Sequence, residues 1–211
     1  MPRQLLIGTV ALVIFLMTVL PVRATTVIAP TFDELVAEAT TIFRGEVIDV
    51  RSEWRDARPA RTIVTLVTFR VETVIKGSQL LETSVEILGG TVGGATLKIA
   101  GTPQFRIGDR DILFVNDTGQ SVSPIVGFMH GRFPVVQDWA NGREFITTYD
   151  GRPLASSADI GQHALTQRGF PQAGAQTRPA ERLLVGAFES QIRRKVQDQA
   201  VKVVTPGSQR R

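Results

Sequence analysis

The sequence predicts a mainly β protein: a small antiparallel barrel with a short helix before it and an amphipathic helix after it. Three observations carry that prediction. A long stretch of apolar–polar alternation runs from Arg61 to Lys76, the period of a strand with one buried face, with Val64 and Leu66 adding apolar residues to the second face of its first half. A shift of apolar phase beside Gly45 signals a bulged, strongly bent strand, the device by which small barrels turn corners. Leu184, Ala187, Phe188, Ile192, Val196 and Ala200 recur with helical spacing near the end of the chain.

In chain order, the first expected element is an export signal. Arg3 gives a basic start, Leu5 to Leu20 is apolar and uncharged, and Pro21 breaks any helix. The small pair in Val22-Arg23-Ala24 places cleavage between Ala24 and Thr25, which would leave 187 of the 211 residues. The alternative is an uncleaved anchor, because the apolar run is only a little short of the ~20 residues that span a bilayer. Thr31-Phe32-Asp33-Glu34 is a capping box, so a helix is expected from Phe32 to Ala39, with Phe32, Leu35, Val36 and Ala39 on one face.

Strands are expected at Ile42–Ser52, Arg61–Lys76, Ser84–Leu88, Ala95–Ala100, Arg110–Asn116 and Ile125–Val136. Within the first, Phe43 and Val47 share one phase and Ile48 and Val50 the other. Glu53 to Ala60 holds four charges and Pro59 and reads as a solvated loop. Asn141-Gly142 between two apolar-rich runs predicts a hairpin. The domain scheme is therefore a signal at 1–24, a barrel with an added hairpin at 25–151, a polar Gly/Pro/Ser linker at 152–178, and a basic helix and tail at 179–211.

Charge is unevenly spread. Residues 25–177 carry 14 basic and 17 acidic side chains, whereas residues 178–211 carry eight and three. The body is mildly acidic, which argues against a nucleic-acid groove across it. The basic tail, with Arg193-Arg194-Lys195 and Arg210-Arg211, is the candidate for contact with a membrane surface or an acidic partner; the competing reading docks the helix on the barrel. The chain has no cysteine, so disulfides, thiol nucleophiles and thiolate metal sites are excluded.

Ala39-Thr40-Thr41-Ile42-Phe43-Arg44-Gly45-Glu46-Val47, then Val67 to Gly77 (VTFRVETVIKG), then Phe105 to Phe114 (FRIGDRDILF), resemble the OB-fold domain of tissue inhibitors of metalloproteinases. The layout also resembles exported bacterial proteins of unknown function. The likeness covers about residues 31–136 and implies an OB-like barrel. It does not imply inhibition, since those inhibitors chelate the protease zinc through an N-terminal cysteine, and the expected mature chain begins Thr25-Thr26.

Few residues point to chemistry. His130 and His163 lie far apart and in no metal-ligand pattern. Gly89 to Gly94 (GGTVGG) lacks the lysine and hydroxyl of a phosphate loop and reads as a β-connection that lets backbones approach closely. Ser121, Ser123, Ser156 and Ser157 sit outside any nucleophile elbow. Asp109 and Asp111 flank a strand as a carboxylate pair, with solvated strand-end charges the default reading. Trp54 and Trp139 are the candidate exposed aromatics, and Asn116-Asp117-Thr118 formally matches a glycosylation acceptor. No cofactor and no metal site is expected. These readings favour an exported, periplasmic or secreted, non-catalytic interaction module with a protein ligand. The alternatives are a carboxylate-based hydrolase and an envelope-associated structural protein.

Overall fold

A computed structural model describes residues 29–56, 61–79, 81–116, 123–161 and 182–204. The expected signal with its Ala24–Thr25 junction, His163, Ser121 and the end of the basic tail lie outside the described residues. The elements are α1 (Phe32–Glu38), β1 (Thr41–Arg55), β2 (Thr62–Lys76), β3 (Glu82–Leu88), β4 (Gly90–Val92), β5 (Ala95–Leu97), β6 (Arg110–Val115), β7 (Arg132–Gln137), β8 (Glu144–Ile146) and α2 (Val185–Val204).

The capping box forms as its spacing dictates. The Thr31 amide donates to Glu34 Oε2 at 2.8 Å, and the Glu34 amide donates to Thr31 Oγ1 at 3.3 Å. Thr31 Oγ1 also donates to Glu34 Oε2 at 2.8 Å, and the two bonds that the ionised carboxylate accepts, from the Thr31 amide and hydroxyl, hold Glu34 below the usual carboxylate range. Leu35 and Val36 face inward, and Lys76 Nζ donates to the Val36 carbonyl at 2.7 Å near the helix end.

Six strands form one antiparallel sheet in the order β3-β2-β1-β6-β7-β8, and β4 and β5 form a separate two-stranded ribbon. Among the described residues the sheet is not closed: β3 and β8 are its two ends. The phase slip in β1 is a bulge. Its register with β2 jumps between Val47 and Asp49, so Ile48 has no partner and Val50 returns to the face that carries Phe43 and Val47. Beyond Glu46, β1 leaves β6. Val47 instead donates to the Asp109 carbonyl and accepts from the Gly108 amide, each at 2.8 Å.

A core lies on each face of the sheet. On one, Leu35, Phe114, Phe133, Phe188 and Ile192 join the sheet to both helices. On the other, Phe43, Phe69 and Phe105 stack edge to face with successive centroids 5.5 Å apart. The helix-side face also carries an ion lattice. Arg110 grips Glu72 with Nε and Nη2, both at 2.8 Å, and also reaches Glu144; Arg44 joins Glu72 at 2.9 Å and Glu189 of α2 at 3.1 Å. The Arg110 fork is the main reason that the Glu72 carboxyl is held below its ordinary value.

Several expectations are revised. Glu53 to Arg55 continue β1, paired with Val64 to Thr62, so the charged loop starts later than its composition suggested. Of the strand expected at Ile125–Val136, only Arg132–Gln137 is one; Ile125 makes a single bridge to Val115 and residues 126–131 are turns. The Asn141-Gly142 hairpin exists, but Asp138 lengthens its loop by accepting from the Asn141 and Gly142 amides. Arg152 to Gly161 is not loosely held: Leu154 and Ile160 are buried and Pro153 bridges to Thr147. The helix expected from Pro179 begins at Val185, because Leu184 is extended and bridges to Phe145. Glu189 and Arg193 do not pair with each other. Glu189 meets Arg44, and Arg193 donates to the Val74 carbonyl at 3.4 Å.

Phe188 is fully buried among Phe32, Phe114 and Phe133, so Phe188→Ala is expected to cost about 3–5 kcal/mol in urea unfolding. A cost below 1 kcal/mol would contradict docking of α2. A depressed carboxyl adds stability that is present above its unfolded value and lost on acidification. The Glu72 contribution is therefore expected to disappear as the pH falls below 4.5, and Glu72→Gln is expected to flatten that part of the stability profile.

Candidate ligand-binding cleft

A recess lies on the face opposite the helices, between the sheet and the segment that runs from β3 to β6. It has a volume of about 420 Å³, within the range of small-ligand sites. The sheet contributes Val50, Thr65, Val67 and Ile87; the ribbon and the chain after it contribute Thr91, Thr96, Leu97, Lys98, Thr102 and Phe105. Val50, Val67, Ile87 and Phe105 belong to the second core, so the cleft opens onto one end of it.

Glycines set its shape. Gly93 and Gly94, at φ +54° and +84°, form the two-residue turn between β4 and β5, a conformation that side chains disfavour. Gly90 crosses above β1 and β2. A Cβ there would sit 2.5 Å from Thr65 Oγ1 and closer still to Ser52 Oγ. Thr65 Oγ1 donates to the Gly89 carbonyl at 2.7 Å, which pins the start of the ribbon to the sheet. The GGTVGG segment is thus the close-approach connection that its composition implied.

The far wall is held by a buried ion cluster. Arg132, at the start of β7, donates from Nε to Asp111 Oδ1 at 2.8 Å and from Nη2 to Asp111 Oδ2 at 3.1 Å. Nη2 also donates to Asp109 Oδ2 at 2.9 Å, and Nη1 donates to the Gln104 carbonyl. The guanidinium lies 4.0 Å over the Phe105 ring. One side chain therefore fixes both ends of the segment 104–111 and presents Phe105 to the cleft.

The expectation of a solvated carboxylate pair is overturned here: Asp111 is fully buried and Asp109 shares its cation. Burial pushes the Asp111 carboxyl up, and the Arg132 fork opposes that rise. An acid–base pair needs groups free to exchange protons with a ligand, and both of these are committed to Arg132.

The remaining candidates are dispersed. His130 is half-buried in the turn before β7, its ring edge-on to Tyr149 at 5.2 Å; burial pushes it below its ordinary value, against the pull of Asp150. Ser123 and Ser156 accept backbone amides, of Ile125 and Ala158, and Ser157 opens a 3-10 turn. Trp139 is 93% exposed on the β7–β8 loop, and Trp54 is capped by Arg61 at 5.4 Å. Lys195 pairs with Asp33 at 2.5 Å, so the basic helix uses part of its charge to dock. Among the described residues no three His, Asp or Glu side chains converge as a metal site, and no helix is long and apolar enough to cross a membrane.

Sequence reasoning did not single out Arg132, Lys98, Thr65 or Thr96. The available signal for Arg132 was indirect: Asp111 leads straight into the continuous apolar run Ile112 to Val115, where a lone carboxylate needs a cation.

Arg132→Leu would leave Asp111 buried without its partner and is expected to cost about 3–5 kcal/mol, read from urea unfolding. Adding Asp111→Leu should recover most of the loss; additive losses in the double variant would show that the two side chains do not act as a pair. No known protein family, no curated protein sequence and no solved structure matches this chain.

Proposed function

We propose that the protein is an exported, non-catalytic binding module whose ligand is another protein and whose site is the cleft beneath the β4–β5 ribbon. The observation that carries this reading is the lining itself. It combines an apolar floor with hydroxyls and one lysine, and it includes no Asp, Glu or His. Such a surface can hold a ligand and orient it, but it offers no carboxylate or imidazole for proton transfer. Export rests on the first 24 residues, with their basic start, apolar run and small pair before Thr25. The OB-like character is retained as part of the proposal: β1 is long, bulged and shared between β2 and β6, as a corner strand of such a barrel is.

The test is quantitative capture of extracytoplasmic proteins on the immobilised protein, beside a Thr96→Trp variant. Thr96 is exposed and lines the cleft, so tryptophan there fills the recess without disturbing the core. A specific partner is expected on the wild type and reduced at least about tenfold on the variant, with the melting temperature unchanged. A partner held equally by both would place the interaction elsewhere and reject the cleft.

A further inference from the structure

The lining narrows what kind of protein surface could enter. A recess of about 420 Å³ is too small for a helix, which is ~10 Å across with its side chains, or for a folded surface. It suits the end of one extended chain.

Charge points the same way. Lys98 is exposed at the cleft and, among the described residues, makes no ion pair or hydrogen bond. Two other lysines are engaged: Lys76 on the Val36 carbonyl and Lys195 on Asp33. With no acid in the lining, nothing in the cleft offsets Lys98, so an anion is favoured there and a second cation is not.

The backbone supplies a third element. β5 pairs only with β4, so its other edge is free of strand partners among the described residues, and Thr96, Leu97 and Lys98 on and after it line the cleft. An extended chain can add to such an edge by main-chain hydrogen bonds, with alternate side chains entering a pocket.

We propose that the cleft captures the C-terminal end of a partner polypeptide, with an apolar last residue against Val67, Ile87 and Phe105 and the terminal carboxylate on Lys98. This rests on the binding reading above and adds the chemistry that is recognised.

The experiment uses the purified protein, immobilised, and a pool of hexapeptides with five randomised positions and a final Leu, Val or Phe. Half the pool carries a free carboxylate and half a C-terminal amide, and retained peptides are counted by mass spectrometry. Free acids are expected to be enriched about threefold to fivefold over amides, the range an exposed ion pair provides. Lys98→Gln, a change at an exposed side chain, should abolish the preference for acids while circular dichroism and melting stay unchanged. Equal retention of acids and amides, or a preference that survives Lys98→Gln, overturns the proposal. Retention of decanoate in a parallel assay with no retention of free-acid peptides assigns the cleft to a small amphiphile and also overturns it. Partner capture that Thr96→Trp abolishes, combined with no acid preference, discards this inference and leaves the binding reading standing; loss of both discards both.

Discussion

Arg132 is the constraint on which the cleft side of the molecule depends. Its guanidinium replaces water for Asp111, which would otherwise be an isolated charge in the interior. A buried ion pair adds little net stability compared with apolar side chains of the same volume. What it adds here is position. The same five-donor fork that satisfies Asp111 also takes Asp109 and the Gln104 carbonyl, and its flat face covers Phe105. A segment without regular structure is thereby seated on the sheet. Through Val47, whose backbone pairs with Gly108 and Asp109, that seating continues into the bulge of β1.

The two faces of the sheet are held by different means. The helix side combines a large aromatic cluster with the Glu72–Arg110–Arg44 lattice, whose members come from β2, β6 and β1 and reach α2 through Glu189. These groups are partly exposed, so the lattice is screened by salt and contributes mainly orientation. The other side has a smaller core, closed by a ribbon of two three-residue strands and a loop rather than by a helix. Short coverings of this kind open at lower free energy than packed helices do. A recess under such a cover can admit a ligand without disturbance to the helix-side core.

The features legible in the sequence were those encoded over a few residues. The Thr31/Glu34 box spans four positions, the alternation of β2 is written along its length, and the β1 bulge shows as a change of phase beside Gly45. What could not be read depends on distant partners. Asp111 resembled a strand-end charge because its cation lies 21 residues away. Residues 152–161 resembled a linker because their composition is polar, although two side chains, Leu154 and Ile160, suffice to anchor them. Whether the sheet closes is settled by its end strands, β3 and β8, and local alternation does not state who pairs with whom. Of the candidate site, the glycines were legible as a close-approach connection, but the recess beneath them was not. Lys98 and Thr96 are ordinary surface residues until the ribbon folds them over the sheet.

Gly90 gives the recess an unusual kind of fragility. Its dimensions do not depend only on the side chains that line it. They also depend on an atom that is missing, since even a methyl group at position 90 would collide with the Ser52 and Thr65 side chains, so that they or the ribbon would have to move. The exposed part of the lining, such as Thr96 and Lys98, can change without disturbing the core, whereas the clearance above it depends on one residue. A substitution there would remodel the opening while the side chains that line it stayed as they were.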